Sequence, residues 1–266
     1  MKKGVEIFSV QGKTAMVTGA TGYLGAAMAN ILAESGAHVL INSRSRERCD
    51  ALVSSLINKG YSAESAVFDV TDRREIDHFF SCYKEQPLHI LINNAYAGTG
   101  GDIKLSKADD YIGSYDVTMI GAHNMLIAAL PSMRKAVQQG GDASVINLAS
   151  MYALVSPDQR IYDLSSGINP PFYGAAKAAL LQWTRYASCE FGAEGIRVNS
   201  ISPGPFPSNA VQESSPDLII KLAYKVPMGR IGYSDEIKGP TLFLASAASS
   251  FVNGTNLIVD GGWTSW

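Results

Sequence analysis

The stretch TAMVTGATGYLG, residues 14–25, joins a short apolar run to a glycine-rich turn and to the start of a helix. The apolar run predicts a buried strand over 14–19, and the alanine and leucine spacing predicts a helix from about Leu24 to Ser35. Glycines permit a tight turn and let backbone N–H groups at the helix N-terminus approach a pyrophosphate. The stretch therefore predicts a nucleotide-binding unit, and a plain turn between strand and helix is the alternative.

Short β-rich runs alternate with longer helical stretches along the rest of the chain. Further strands are predicted at 37–43, 65–70, 88–95, 143–150, 196–203 and 256–262. One long helical region is predicted over 107–139. Apolar strands that alternate with helices are typical of a parallel sheet covered on both faces. The predicted fold class is α/β, a Rossmann-type doubly wound parallel sheet of about seven strands, whose ligands bind at the carboxyl ends of the strands.

Length and composition restrict the class of protein further. The chain has 266 residues, of which 46% are hydrophobic and 17% are charged, and its formal net charge is -2. These values predict a single domain over 1–266 with one large core, and they exclude a disordered chain. A nearly neutral chain argues against broad electrostatic binding to nucleic acid.

Membrane insertion and metal binding are not expected either. No apolar run is long enough to span a bilayer, and the N-terminus MKKGVEIFSVQGK lacks the apolar core of a secretory signal. The three cysteines and four histidines are scattered without metal-ligand spacing, so we expect no metal site. The resulting expectation is a protein of a reducing compartment, the cytoplasm.

The end of the second predicted strand bears on which dinucleotide binds. An NAD site usually offers an acidic side chain to the ribose 2′-hydroxyl, whereas a 2′-phosphate favours arginine without a carboxylate. This chain reads INSRSRER over 41–48, with Ser43 and Arg44 and no acidic residue before Glu47. The pattern favours NADP(H) over NAD(H). The alternative is that the arginines simply begin a solvated helix.

A tyrosine and a lysine stand one helical turn apart at the start of another predicted helix. They are Tyr173 and Lys177 in NPPFYGAAKAALLQW, residues 169–183. Ser150 ends the fifth predicted strand, at the sheet edge where ligands bind. A phenol of ordinary pKa is a poor acid–base group at neutral pH, and a neighbouring ammonium is expected to lower that pKa. The three residues are candidates for proton transfer, although an amphipathic helix that happens to begin with tyrosine has the same spacing.

Several motifs follow one another in an order that resembles the short-chain dehydrogenase/reductase family in its single-domain branch. They are KTAMVTGATGYLG, FDVTD, LINNA, SVINLAS, YGAAK, GIRVNSISPGP, FLAS and the terminal VDGG. The resemblance covers nearly the whole chain. It implies hydride transfer between C4 of a nicotinamide and a carbinol or carbonyl carbon of a small-molecule substrate. It also implies a homo-oligomer, a tetramer or a dimer, with contacts through the long helices and the C-terminal VDGGWTSW.

The resemblance assigns roles to individual residues. Tyr173 would be the general acid–base, Ser150 would orient the substrate, and Lys177 would tune Tyr173 and bind the nicotinamide ribose. Asp69 and Val70 would lie by the adenine. With Ser43 and Arg44, the implied cofactor contacts further include Gly19, Thr21, Gly22, Tyr23, Leu24, Gly25, Asn93, Ala95, Pro203 and Gly204.

The chain departs from the family pattern at three places. The middle glycine of the first motif is Gly22, followed by Tyr23, a spacing more typical of the sugar-nucleotide-modifying branch. Tyr96 replaces the glycine of NNAG and is expected to crowd or reshape the cofactor site. Thr118 replaces the asparagine that in the family helps to hold a water next to the lysine. A threonine hydroxyl can bond back to a helix carbonyl and bend the helix, so we expect Thr118 to replace the asparagine in part.

These departures keep two alternatives open. One is a sugar-nucleotide epimerase or dehydratase that holds its cofactor tightly. The other is a dinucleotide-binding sensor or scaffold whose catalysis has weakened.

Two segments beside the candidate site are predicted to contact substrate. The loop over 151–172 is longer than is usual in the family and carries Tyr152, Asp158, Arg160, Tyr162 and Asp163. Its polarity favours a sugar or a sugar acid as substrate, and packing on a neighbouring subunit is the alternative. The segment 204–226 is predicted to form a mobile lid. Both segments are similar to those of family members of the gluconate 5-dehydrogenase and surface-sugar-modifying kinds.

Overall fold

The computed structural model describes residues 4–83, 85–98, 100–162 and 168–266. Its strands are β1 Thr14–Val17, β2 His38–Ser43, β3 Ser62–Val67, β4 Ile90–Asn93, β5 Ala143–Leu148, β6 Ile196–Pro203 and β7 Asn256–Val259. They form one parallel sheet in the order β3-β2-β1-β4-β5-β6-β7. Because the strand order reverses between β1 and β4, the ligand crevice of a doubly wound sheet opens there. The predicted α/β, Rossmann-type fold is confirmed.

Helices connect the strands and pack on both faces of the sheet. They are α1 Tyr23–Glu34, α2 Arg46–Asn58, α3 Arg73–Tyr83, α4 Ala108–Tyr115, α5 Gly121–Gln138, α6 Pro171–Phe191, α7 Asn209–Ser214, α8 Pro216–Lys225 and α9 Lys238–Ala245. Within the described parts of the chain, none of them is both long and apolar enough to cross a membrane.

The core divides into two layers, one on each face of the sheet. Ala15 and Val17 of β1 belong to one buried cluster, with α1 and α9, whereas Met16 belongs to the other, with α5 and α6. Successive side chains of a strand point to opposite faces, so a strand buried on both faces has to be apolar throughout. This requirement is what made the apolar runs recognisable as strands.

Several strands end earlier than predicted, and the shortening builds the loops of the site. β1 ends at Val17 rather than at residue 19, and β4 spans 90–93 rather than 88–95. Beyond β1, the N–H of Thr18 donates to the carbonyl of Ile92, and its hydroxyl accepts from the N–H of Asn94. The chain therefore leaves the sheet at β1 and β4 together, with the two loops bonded to each other.

The region predicted as one long helix, 107–139, is interrupted. α4 ends at Tyr115, a π-helical turn spans Asp116–Ile120, and α5 begins at Gly121. Oγ1 of Thr118 is buried without a hydrogen-bond partner among the described residues, so the threonine does not bond back to a helix carbonyl. The irregularity comes instead from the wider turn, which inserts a residue into the helical ladder.

A third, smaller cluster lies beside the carboxyl ends of β5 and β6. It joins Met151 and Tyr152 of the loop after β5 to Leu222 of α8 and to Trp263 near the C-terminus. Trp263 is buried within its own chain, whereas Trp266 is exposed. The segments predicted as substrate loop and lid therefore pack against each other.

Candidate active site

One cleft of about 1040 Å³ runs along the carboxyl ends of the strands, from β3 to β6. Most of the predicted site residues line it, namely Gly19, Thr21, Gly22, Tyr23, Leu24, Gly25, Ser43, Arg44, Asp69, Val70, Ala95, Ser150, Tyr173, Lys177, Pro203 and Gly204. Two predicted residues do not: Asn93 and Thr118 line a second, much smaller cavity next to it. We call the part of the cleft at β4, β5 and β6 the reaction half, and the part at β2 and β3 the adenosine half.

The glycine-rich turn after β1 leaves no space for side chains at two positions. Gly19 has φ 59°, and a Cβ there would lie 2.9 Å from Cα of Ala95. A Cβ at Gly25 would collide with the carbonyl oxygen of Gly19. The turn leads directly into α1, whose first N–H groups have no partner within the helix. The unusual glycine spacing therefore still builds a backbone cradle of the kind that holds a pyrophosphate.

Two residues hold this cradle in place, and one of them, Asn94, was not among the predicted site residues. Asn94 lines the cleft, and its Nδ2 donates to the carbonyls of Thr18 at 2.9 Å and Gly19 at 3.0 Å. The hydroxyl of Tyr23, the departure after Gly22, accepts from the N–H of Ser234 at 3.3 Å. Tyr23 thus ties the start of α1 to the segment before α9. Asn94 is the second asparagine of the LINNA motif, and its place in that motif is the sequence feature that could have identified it.

The adenosine half carries the two arginines that line the cleft. The Ser43 hydroxyl accepts from the N–H of Ser45 at 3.2 Å, and Nη1 of Arg44 lies 3.7 Å from Oδ2 of Asp69. Ser45 caps α2 by accepting from the N–H of Arg48 at 3.3 Å, and Arg48 also lines the cleft. Arg48 was not predicted, although the periodicity of RSRER places it one helical turn after Arg44.

The reaction half brings Ser150, Tyr173 and Lys177 together. Ser150 follows β5 and accepts from the N–H of Tyr152 at 3.1 Å, which fixes its rotamer, and its hydroxyl is hydrogen-bonded to the Tyr173 phenol. α6 begins with Pro171, which suits the first turn of a helix because its N–H is not needed there. Lys177 is buried, and its Nζ donates to the carbonyl of Leu148 at 2.5 Å.

Burial dominates the protonation of both titratable groups. It raises the pKa of Tyr173, an effect that the hydrogen bond from Ser150 offsets only in part, and it lowers the pKa of Lys177 to about 8. The pKa of Tyr173 therefore lies above its ordinary value, not below it as expected from the neighbouring ammonium. Nζ of Lys177 lies 5.8 Å from the centre of the Tyr173 ring and is itself poorly solvated, so desolvation of the phenol outweighs its attraction.

Tyr96 packs directly against this group. Its ring meets that of Tyr173 edge to face, with centroids 4.8 Å apart, and its centroid lies 5.8 Å from Nζ of Lys177. A Cβ at Gly98 would collide with the Tyr96 hydroxyl, so only glycine leaves room for it. Burial raises the pKa of Tyr96 to about 12. The side chain therefore reshapes the site as a protonated aromatic wall.

Asn93 and Thr118 face a cavity of about 10 Å³, which Lys177 also lines. Nδ2 of Asn93 donates to Asn147, whose own amide donates to Thr184, and the Thr184 hydroxyl donates to the Leu180 carbonyl. This chain of donors fixes the orientation of the Asn93 amide. Its Oδ1 is a buried acceptor without a partner among the described residues, as is Oγ1 of Thr118. The cavity has the volume and the polar lining that one water molecule requires.

The polar side chains of the loop after β5 are largely paired with one another or with α8. The Asp158 carboxylate accepts from Arg160 at 2.8 Å and from Lys225 at 2.7 Å, and the Tyr152 and Tyr162 hydroxyls lie 2.6 Å apart. Asp163 lies outside the described residues. The polarity of this loop is therefore explained in large part by its packing, and does not by itself indicate a polar substrate.

None of the three cysteines lines the cleft, and the described residues form no metal site. Cys49 is buried, Cys82 and Cys189 are exposed, and all three are unpaired. In the described ranges, no group of three or more His, Cys, Asp or Glu residues is arranged to hold a metal ion.

Comparison with known proteins agrees with the geometry of the cleft. A family model described as "Enoyl-(Acyl carrier protein) reductase" matches residues 19–264. The chain is 32% identical over 264 residues to gluconate 5-dehydrogenase of Gluconobacter oxydans, covering 97% of both chains. It is 28% identical over 264 residues to D-threitol dehydrogenase of Mycolicibacterium smegmatis, covering 97% of this chain and 95% of that one.

The fold comparison leads to the same group of enzymes. The solved structure of a gluconate 5-dehydrogenase from Burkholderia cenocepacia, in complex with NADP and tartrate, superimposes with a TM-score of 0.86 at 29% identity. The match covers 98% of this chain and 99% of that one. One assignment is supported by the cradle after β1, by the residues after β5 and at the start of α6, and by these whole-length matches. The chain belongs to the short-chain dehydrogenase/reductase family and is an NAD(P)-dependent oxidoreductase.

Proposed function

We propose that the chain transfers a hydride between the nicotinamide of NADP(H) and the carbon of a secondary alcohol or ketone on a polyhydroxylated, sugar-like substrate. The observation that carries the proposal is the group formed by Ser150, Tyr173 and Lys177 beside a glycine cradle in one cleft. The relatives named as gluconate and threitol dehydrogenases support the substrate class. The proposed hydride transfer takes the place of both alternatives, the sugar-nucleotide epimerase and the dinucleotide-binding sensor.

The bound dinucleotide would supply or accept the hydride, and the residues of the chain would handle the proton and the substrate oxygen. Ser150 would hold that oxygen through a hydrogen bond. The Tyr173 phenol would donate its proton to it during reduction and take the proton back during oxidation. Because burial keeps the pKa of Tyr173 high, the phenol is protonated at neutral pH and is ready to act as the acid.

Lys177 and the small cavity would complete proton exchange with solvent. With a pKa of about 8, the Lys177 ammonium can lose and regain a proton near neutral pH. A water in the small cavity would donate to Oδ1 of Asn93 and bond the Thr118 hydroxyl while it accepts from Lys177. In this proposal Thr118 replaces the family's asparagine, with Asn93 as the second anchor.

The preference for NADP(H) would reside in the adenosine half. Arg44 and Arg48 line it, and two guanidinium groups suit a 2′-phosphate. Oδ2 of Asp69 lies 3.7 Å from Nη1 of Arg44, and this ion pair would keep the Arg44 side chain at the mouth of the cleft. Saturation curves for NADPH and NADH test this: we expect a lower KM for NADPH, and a clear preference for NADH would contradict it.

A substrate panel tests the proposed reaction. We expect net NADPH oxidation with keto-sugars and related hydroxyketones, measured by the loss of nicotinamide absorbance. Net consumption also distinguishes this reaction from an epimerase, which returns its cofactor unchanged. Activity confined to apolar ketones would contradict the sugar-like substrate class.

We propose further that the chain assembles into a homo-oligomer. Exposed apolar side chains support it: Ile112 on α4 is 65% exposed, Phe251 is fully exposed, and Ile258 on β7 is half exposed. Burying such side chains in a contact between protein chains would lower the free energy of the assembly. Light scattering coupled to size exclusion should give a dimer or tetramer for the wild type and a smaller species for Phe251→Ser. A wild-type monomer would contradict the proposal.

We place the protein in the cytoplasm. Three unpaired cysteines, one of them buried, suit a reducing compartment. Fractionation of cells that express the tagged chain should recover it with cytoplasmic markers, and recovery with membranes or outside the cell would contradict this placement.

A further inference from the structure

Basic residues are distributed unevenly along the cleft. Arg44 and Arg48 line the adenosine half, whereas Lys177 is the one basic residue that lines the reaction half among the described residues. β2 and β5 are three strand positions apart, which is about 14 Å at the usual strand spacing. Arg44 is moreover paired with Asp69 beside β3. These guanidinium groups are therefore too remote to neutralise a small substrate that reacts beside Tyr173.

Three other basic side chains near the reaction half are engaged elsewhere, and Lys104 and Lys107, in the loop before α4, are exposed and do not line the cleft. Arg160 and Lys225 both donate to the Asp158 carboxylate, and Arg230 makes two bonds of 2.7 Å to Glu236. None of the three lines the cleft as described. The segment 163–167, DLSSG, contains no lysine or arginine.

Lys177 is itself not available to a substrate anion. Its Nζ donates to the Leu148 carbonyl and lies 5.8 Å from the ring centroids of both Tyr96 and Tyr173. Lys177 also lines the small cavity, beside the unpartnered Oδ1 of Asn93 and Oγ1 of Thr118. Among the described residues that line the reaction half, a carboxylate would thus meet no uncommitted cation.

The walls of the reaction half are aromatic and acidic. Tyr96, Phe172 and Phe206 line it, and a Cβ at Gly232 would lie 2.7 Å from the Phe206 ring, so that ring is closely packed from behind. Phe172 is held by an edge contact to Tyr111, with centroids 5.8 Å apart. On the side of α4 the lining of the cleft includes three acidic residues, Asp109, Asp110 and Asp116, and the Asp110 carboxylate accepts from the N–H of Lys107 at 2.7 Å.

These walls disfavour an anion and suit an uncharged, hydroxylated carbon chain. A carboxylate that loses water without gaining a cation raises the free energy of the complex, and neighbouring carboxylates raise it further. The faces of aromatic rings carry partial negative charge and attract the weakly positive C–H groups of a polyol. A terminal hydroxymethyl group carries no charge, so the same walls do not raise the free energy of its complex in this way.

We propose that the reaction half selects uncharged polyols and hydroxyketones and rejects their carboxylate counterparts. The inference rests on the proposed oxidoreductase function and decides between two kinds of relative. The chain is 32% identical to a gluconate 5-dehydrogenase and 28% identical to a D-threitol dehydrogenase, so identity alone points toward the acid. The absence of a free cation in the described lining points toward the neutral polyol.

Matched substrate pairs test the charge preference. D-Glucitol and D-gluconate differ at one terminal carbon, as do D-threitol and D-threonate. With NADP+ as oxidant, we expect kcat/KM to be at least about tenfold higher for the neutral member of each pair. Equal or higher values for the acids would overturn the inference.

A binding measurement separates this inference from the proposed function. Calorimetric titration of the NADP+-loaded protein with the same four ligands should rank the neutral members as tighter. Turnover of no polyol or keto-sugar would contradict the proposed function, and the calorimetric ranking would then still decide the charge preference. Tighter binding of the acids would overturn it.

A charge-introducing variant gives the converse test. Phe206→Arg adds a cation to the wall, and we expect the ratio of kcat/KM for gluconate over glucitol to rise by roughly tenfold. Phe206→Met removes the ring without adding charge and should leave that ratio low. Tyr96→Arg repeats the test at another wall if Phe206→Arg does not fold. An unchanged ratio in a folded arginine variant would overturn the inference.

Discussion

The two halves of the cleft handle charge in different ways. In the reaction half, Lys177 is 3% exposed and its Nζ is bonded to the scaffold. In the adenosine half, 70% of the Arg44 side chain is exposed, and its ion pair with Asp69 spans 3.7 Å. Burial sets the pKa of a proton-transfer group, whereas a phosphate site needs only a charge within reach. Substitutions in the first half should therefore change catalysis, and those in the second should change cofactor affinity.

The largest effect among these substitutions is expected for Lys177→Met. Removing the ammonium removes both the proposed proton relay and a ribose contact, so kcat should fall by about 100- to 1000-fold. Lys59→Met, at an exposed lysine after α2, is the matched control and should keep wild-type activity. Steady-state kinetics with folding checked by circular dichroism measures the effect. A fall of less than about tenfold would remove Lys177 from the catalytic group.

The burial of Lys177 also predicts a pH-dependent stability. Because its pKa falls from 10.5 in the unfolded chain to about 8 in the folded one, the unfolded chain binds more protons between those values. The free energy of unfolding should therefore rise with pH through this window, by about 2 kcal/mol from pH 8 to pH 10. Below pH 8 the cost of burying the charge is fully present.

Urea denaturation at a series of pH values checks whether the free energy of unfolding rises with pH as expected. We expect the wild type to gain stability relative to Lys177→Met as the pH rises from about 8 to 10. A constant difference between the two proteins would show that Lys177 is not desolvated as the structure indicates.

A smaller effect is expected in the adenosine half. Arg44→Ala should raise KM for NADPH by about tenfold and leave KM for NADH and kcat nearly unchanged, because one exposed, charged phosphate contact is lost. Arg46→Ala is the matched control, since Arg46 is not among the residues that line the cleft. Equal changes for the two cofactors would contradict a 2′-phosphate role for Arg44.

The smallest effect is expected at the small cavity. Thr118→Val removes the hydroxyl at nearly constant volume, so kcat should fall by about fivefold and the pH–rate profile should shift, while Thr118→Ser should keep both. Thr118→Asn tests the family residue directly, and a large gain in kcat would show that the native relay is weak. An unaltered profile in Thr118→Val would show that the hydroxyl takes no part in proton transfer.

The sheet and most of the cleft could be predicted because they depend on local sequence patterns. Apolar runs such as LHILINNA indicate strands that are buried on both faces of the sheet, and TGATGYLG indicates a turn that leads into a helix. Because parallel strands end at one edge, residues far apart in sequence, such as Arg44 and Ser150, could be assigned to one site. The prediction that Tyr173 and Lys177 lie together needed only the helical repeat.

What could not be predicted depends on contacts between segments. The π-helical turn at Asp116–Ile120 leaves no sign in the periodicity of a helix, so one long helix was expected over 107–139. The ion pairs of Asp158 were interpreted as substrate polarity, because sequence does not show that Lys225 of α8 lies beside it. The orientation of Asn93 follows from a chain of donors through two strands, β4 and β5, and one helix, α6.

The most direct test of the central claim is Tyr173→Phe, which removes one oxygen atom and keeps the ring that packs against Tyr96. Turnover of the best sugar-like substrate and the Kd for NADPH, from fluorescence titration, should be measured on the same preparation. The proposed acid–base role predicts that kcat falls by at least about a thousandfold while the Kd stays within about twofold. A variant that binds NADPH normally and keeps kcat within about tenfold of the wild type would contradict that role.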